Sequence, residues 1–181
     1  MNKPRLAEQP WKVPVAVTDV PETGKRVDLA ADAATRGAIA KLAAVAGVPR
    51  LEAQFDLTRQ GNDGLHVVGR VAATVEQNCV VTLEPMQTEI DEAVDMVFTP
   101  TRAPPARAER LKTLQDEDPP EAIKDGSVDL GALATEFLLL GIDPYPRKPG
   151  AVFDAPQADD PGPHPFAALA ALKKGMGGKD A

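Results

Sequence analysis

The clearest signal in the chain is alternation. From Leu51 to Thr58 the odd residues Leu51, Ala53, Phe55 and Leu57 are apolar, and the even residues Glu52, Gln54, Asp56 and Thr58 are polar. That is the period of a strand with one buried and one solvated face. Gln60-Gly61-Asn62-Asp63-Gly64 follows; Gly and Asn tolerate positive φ, so the stretch reads as a turn. Odd positions are apolar again at Leu65, Val67, Val71, Ala73 and Val75, and the phase continues through Cys79, Val81 and Leu83. The other phase then takes over, with Met86, Ile90, Val94, Met96 and Phe98 on one face. Glu92 falls on this apolar phase, which predicts a bulge or an edge position there. Three successive alternating segments predict an antiparallel meander with one solvated face. Trp11 to Val17 also alternates, but Pro14 cannot donate a ladder hydrogen bond, so this short segment is read as an edge strand.

Two segments carry the helical period instead. Residues 33–46 are rich in Ala, with Ile39, Leu42 and Val45 or Ala46 at helical spacing. Asp32 is placed to cap the start and Gly47 the end, and Pro49 prevents continuation. Asp129 is placed to cap a second helix, in which Leu130, Leu133, Phe137 and Leu140 recur at core spacing until Gly141 and Pro144 stop it. The run Leu138-Leu139-Leu140 is apolar on more than one face, which implies burial on several sides or a partner.

The expected fold class is α+β: an antiparallel β-meander covered by these two helices. Residues 1–155 are read as one domain. Within it, 99–126 is a mobile loop rich in Pro and charge, with a short helix expected near Ala106 to Leu114. Residues 156–181 are read as a flexible tail, in which Phe166 to Lys174 could form an amphipathic turn or two.

Composition narrows the function classes. The chain has 181 residues, 43% of them hydrophobic, and a formal net charge of −7. That is enough material for a substantial core, but nonspecific binding to phosphates draws on Lys and Arg and starts from a deficit. No apolar run reaches the roughly 18 residues of a membrane span, and Met1 to Pro10 has no apolar core of a secretory signal. A cytoplasmic protein with no membrane partner is expected. One cysteine and two histidines leave no multi-Cys metal site and no internal disulfide.

Catalytic constellations are correspondingly scarce. Cys79 is the only thiol. On a regular strand it lies on the opposite face from His66 and about 43 Å away, and His164 is in the tail. Cys79 therefore reads as a buried, hydrophobe-like residue. Ser127, beside a helix start, reads as a cap or turn residue, and no hydrolase triad is expected.

Charge is segregated along the sequence. Val71 to Thr101 holds Glu76, Glu84, Glu89, Asp91, Glu92 and Asp95 with no Lys or Arg. A solvated sheet face explains this without a function; an acidic surface for a basic protein is the functional alternative, with Glu89, Asp91 and Asp95 as its candidates. The candidates for RNA contact are Arg102, Arg107, Arg110 and Lys112 on the loop, and Arg147 and Lys148 after the second helix.

Two blocks carry a resemblance. Cys79-Val80-Val81-Thr82-Leu83-Glu84-Pro85 and Val128 to Leu140, running on into Asp143-Pro144-Tyr145-Pro146-Arg147-Lys148-Pro149-Gly150, resemble the YceD-like family, also catalogued as domain of unknown function family 177. The resemblance covers roughly residues 10 to 155. It marks Cys79, Leu83, Pro85, Asp129, Leu130, Pro144 and Pro146 as structural motif residues. It implies a non-enzymatic factor in large-subunit ribosomal RNA accumulation or ribosome assembly, with ribosomal RNA or a basic ribosomal protein as partner. The alternative is an acidic adaptor that holds a basic ribosomal protein and never touches RNA. Many family members read Cys-x-x-Cys in the first block and carry more cysteines near the second, a spacing suited to structural zinc. Here Thr82 stands at the second position and the Pro144–Pro149 stretch has no cysteine. A version without metal or other cofactor is implied, in which packing replaces the clip.

Overall fold

Three long strands joined by tight turns form the body of the protein. The computed structural model describes residues 9–61, 63–100, 121–123 and 125–153. In chain order the elements are β1 (Pro14–Ala16), β2 (Lys25–Ala30), α1 (Ala33–Leu42), β3 (Gly47–Gln60), β4 (Gly64–Asn78), β5 (Pro85–Pro100), β6 (Glu121–Ile123), β7 (Ser127–Asp129) and α2 (Leu130–Gly141). The main sheet has the order β2-β3-β4-β5-β6, antiparallel from β2 to β5. β6 joins parallel to the end of β5. β1 and β7 make a separate antiparallel pair.

Alternation sets the register, as a half-buried sheet requires. Leu51, Phe55, Leu57, Leu65, Val67, Val71 and Val75 are at most 1% exposed, and Ile90, Val94 and Phe98 of β5 are buried with them. Pro49 sits where the β3–β4 register shifts between Gly47 and Arg50, a place where a missing N–H costs little. Glu92 shows no bulge, since its pairing with Val71 continues an unbroken register. It lies on an edge: among the described residues β5 meets β6 only from Phe98 to Pro100.

The helices cover the apolar face, α1 on β3 and α2 on β4 and β5. Asp32 caps α1 by accepting from Thr35 N at 2.7 Å, and the Thr35 hydrogen bonds hold its carboxyl below the usual carboxylate range. α1 ends at Leu42, short of Gly47. The left-handed residue that turns the chain is Ala44, φ +53, and Gly47 already belongs to β3. The buried line of α2 is Leu130, Ala134 and Leu138, an i, i+4, i+8 stripe. Leu133 is buried with it, but Leu140, expected in the core, is 73% exposed.

Several elements differ from the sequence expectation. β2 is an additional edge strand. The first strand shrinks to three residues followed by a 3₁₀ turn at Val17–Asp19. β4 stops at Asn78, so Cys79, Val81 and Leu83 belong to a turn; Leu83 has φ +59 and is 76% exposed. Of the expected loop 99–126, Thr99 and Pro100 belong to β5, Glu121–Ile123 form β6, and Asp125 and Gly126, both with positive φ, make the turn that leads into β7. The remainder of that loop with its short helix, and the tail, lie outside the described residues.

Candidate functional site

The two motif blocks, 64 residues apart at Glu84 and Lys148, meet beyond the end of β4. The first forms a turn closed by Leu83 N donating to Cys79 O and Cys79 N donating to Glu84 O, both at 2.9 Å. The second docks on it: Val80 N donates to Pro146 O at 2.9 Å, with Pro146 buried. Lys148 Nζ reaches Glu84 Oε2 at 2.9 Å, and Gln77 Nε2 donates to Asp143 O. The Lys148 ammonium, with help from Thr82, holds the Glu84 carboxyl below its usual range.

Cys79 is the centre of this junction. Its side chain has no exposed surface, and Sγ accepts from Thr82 N at 3.5 Å and Lys148 N at 3.4 Å. Both are weak sulfur bonds, yet they tie the two blocks to one atom. The thiol lies at the end of the sheet, with Val80, Thr82 and Glu84 exposed around it. Hydrogen bonding to Thr82, then to the Lys148 backbone, therefore outweighs desolvation and lowers the thiol pKa to about 6. The folded state then releases the proton before the unfolded chain does, so the unfolded state binds more protons between about pH 6 and pH 9. The stabilisation is fully present above the upper value, and it is lost as pH falls through about 6. Urea unfolding of the wild type and of Cys79→Ala should diverge as pH rises across this window, and Cys79→Ser, whose hydroxyl does not titrate there, should run parallel to Cys79→Ala. A wild-type profile parallel to both variants would show that the thiol does not ionise in place.

The junction does not fit a metal. Thr82 and the Pro144–Pro149 stretch offer no thiolate or imidazole, and backbone N–H groups already occupy the sulfur. Among the described residues no group of three His, Cys, Asp or Glu side chains is placed to hold one. His66 lies at the far end of β4 with Nε2 2.7 Å from Asp95 Oδ1, so it cannot serve Cys79 as a base. Asp129 and Leu130 sit at the opposite end of α2 from the junction. Asp129 Oδ1 accepts from Gly131 N and Ala132 N at 3.1 Å and from Val13 N at 2.8 Å. Trp11 packs so closely over Gly131 that a Cβ there would meet the Trp11 carbonyl at 2.8 Å.

The charge clusters are rearranged in space. Each acidic candidate on β5 faces a base from its own sheet: Glu89 meets Arg50 at 2.8 Å, Asp91 meets Arg70, and Asp95 meets His66. The Thr74 hydroxyl, then Arg50, hold the Glu89 carboxyl below its usual range. A shallow depression of about 570 Å³ on this face is lined by the carboxylates of Asp28, Glu52 and Asp91 and the guanidiniums of Arg50 and Arg70, whose charges cancel to within one. Arg147 is exposed, Lys148 is engaged by Glu84, and Arg102, Arg107 and Arg110 lie outside the described residues. A second, more apolar groove of about 540 Å³ runs between α2, β5 and β6. The Asp125-Gly126 turn that helps build it is visible in the sequence as a turn dipeptide.

The family model for the large ribosomal RNA subunit accumulation protein YceD matches residues 67–173, more than half of the chain. The match begins inside β4, takes in both motif blocks, and runs on into the stretch read as a tail. No curated protein and no solved structure matches the chain.

Proposed function

The chain belongs to the YceD family, and on that premise we propose that it is a non-enzymatic, cytoplasmic factor in the accumulation of large-subunit ribosomal RNA, acting by holding a basic ribosomal protein rather than by touching RNA. The single observation that carries the choice of partner is the disposition of charge. On a chain of net charge −7, the cations Arg26, Arg50, Arg70 and Lys148 each meet a carboxylate, and the exposed Lys25, Lys41 and Arg147, which meet none among the described residues, line neither groove. Glu121, Asp125 and Glu136 are exposed, form no ion pair among the described residues, and line one groove together. RNA phosphate needs uncompensated cations; a basic protein needs uncompensated carboxylates. Capture from cell extract with and without nuclease tests the reading. A basic large-subunit protein retained after nuclease supports it, and association lost with the RNA overturns it.

A further inference from the structure

The groove beside α2 combines an apolar floor with an acidic rim. Its floor is apolar, with Met96 and Phe98 of β5 facing Phe137 and Leu140 of α2. Leu140 is 73% exposed, a large apolar group left in water at the mouth of a concave surface. Around that floor stand Glu121, Asp125 and Glu136, which form no ion pair among the described residues. Isolated exposed leucines need no explanation, but an apolar patch rimmed by like charge marks an interaction site.

We propose that this groove seats an amphipathic basic segment of the partner protein, with its apolar side chains on the Met96–Leu140 floor and its Lys or Arg side chains toward Glu121, Asp125 and Glu136. The proposal rests on the reading that the partner is a basic protein, and it assigns that partner a place and a mode of docking. Charge complementarity selects the occupant: an acidic or neutral apolar segment would leave three carboxylates facing either like charge or nothing. An amphipathic helix laid in a groove is a recurrent mode of recognition, anchored at i, i+3 or i+4 spacing.

The test uses the full chain and two probes, a synthetic leucine–lysine peptide with one apolar and one basic helical face, and large-subunit proteins stripped of RNA. Glu136→Lys combined with Asp125→Lys should weaken peptide binding about tenfold or more, most at low salt. Leu140→Ser should weaken it at every salt concentration. All three positions are exposed, so unchanged circular dichroism and melting temperature check the fold. Asp95→Lys, on the outer sheet face, should leave peptide binding unchanged. Equal binding by wild type and groove variants overturns the proposal, as does equal binding of a peptide with glutamate in place of lysine. If Leu140→Ser turns a dimer into a monomer without affecting peptide binding, the face belongs to a second copy and the proposal is overturned. Ribosomal proteins that bind wild type and groove variants alike refute the groove while sparing the partner reading; ribosomal proteins that bind neither refute both.

Discussion

Gly69→Val should destabilise the fold by about 3 kcal/mol, the upper end of what overpacking costs. Gly69 of β4 stands opposite Phe55 of β3 in the register. A Cβ at Gly69 would run first into the Gln54 carbonyl oxygen and would then lie 2.7 Å from Phe55 Cδ1 and 3.0 Å from its Cα. The ring, 0% exposed, lies where a side chain would otherwise stand. Neither strand can step aside without disturbing the ladder that carries the core. Phe55→Ala should itself cost about 3–5 kcal/mol, the loss expected for an emptied aromatic site. Because that substitution clears the ring but leaves the Gln54 carbonyl in place, the double variant should be less destabilised than the sum by no more than about 1 kcal/mol. Urea unfolding of the four proteins measures the coupling. Strict additivity would show that the Gln54 carbonyl alone, and not the ring, is what requires the glycine.

Asp129→Ala should cost about 2–4 kcal/mol, because one carboxylate oxygen serves two purposes. It caps α2 through Gly131 N and Ala132 N, and it accepts from Val13 N across 116 residues. Losing the cap alone costs about 0.5–2 kcal/mol, and stranding the half-buried Val13 N–H adds about 1–3 kcal/mol. Leu130 N donates back to Val13 O at 3.0 Å, so the loss should loosen the N-terminal segment as well as the helix. Asp129→Asn keeps an acceptor oxygen and should lose less than half as much. Hydrogen exchange checks the coupling: in Asp129→Ala, protection should fall together at the start of α2 and around Val13 to Val17. Loss confined to the helix would show that the second purpose is negligible.

What could be read from the sequence was what depends on near neighbours in the chain. The alternation of Leu51 to Leu57 and of Ile90 to Phe98 gave strand, phase and buried face together, because a strand's period is local. Asp32 and Asp129 were readable as caps because a cap reaches only two or three residues ahead. β2 escaped notice because an edge strand bearing Lys25, Arg26 and Asp28 has only Val27 and Leu29 to mark it, and both are partly buried. In α2 the run Leu138 to Leu140 fits more than one stripe, and packing against β4 and β5 chose Leu138. Burial of Cys79 was foreseen, but its cause was not, since Lys148 lies 69 residues away. The acidic run along β5 concealed its own neutralisation for the same reason: Arg50 and Arg70 come from β3 and β4, and cross-strand pairing is absent from linear order. The groove, assembled from β5, β6 and α2, left only the Asp125-Gly126 turn and an excess of leucine as traces.

The claim that the partner is a protein is tested most directly by titrating the purified full chain against two ligands, naked large-subunit ribosomal RNA and the large-subunit proteins freed of RNA, each at low and at near-physiological salt. The account predicts saturable binding to one or more basic proteins, weakened but not abolished by salt, and no comparable affinity for the RNA. Tighter binding to naked RNA, falling steeply with salt as phosphate contacts require, would contradict it.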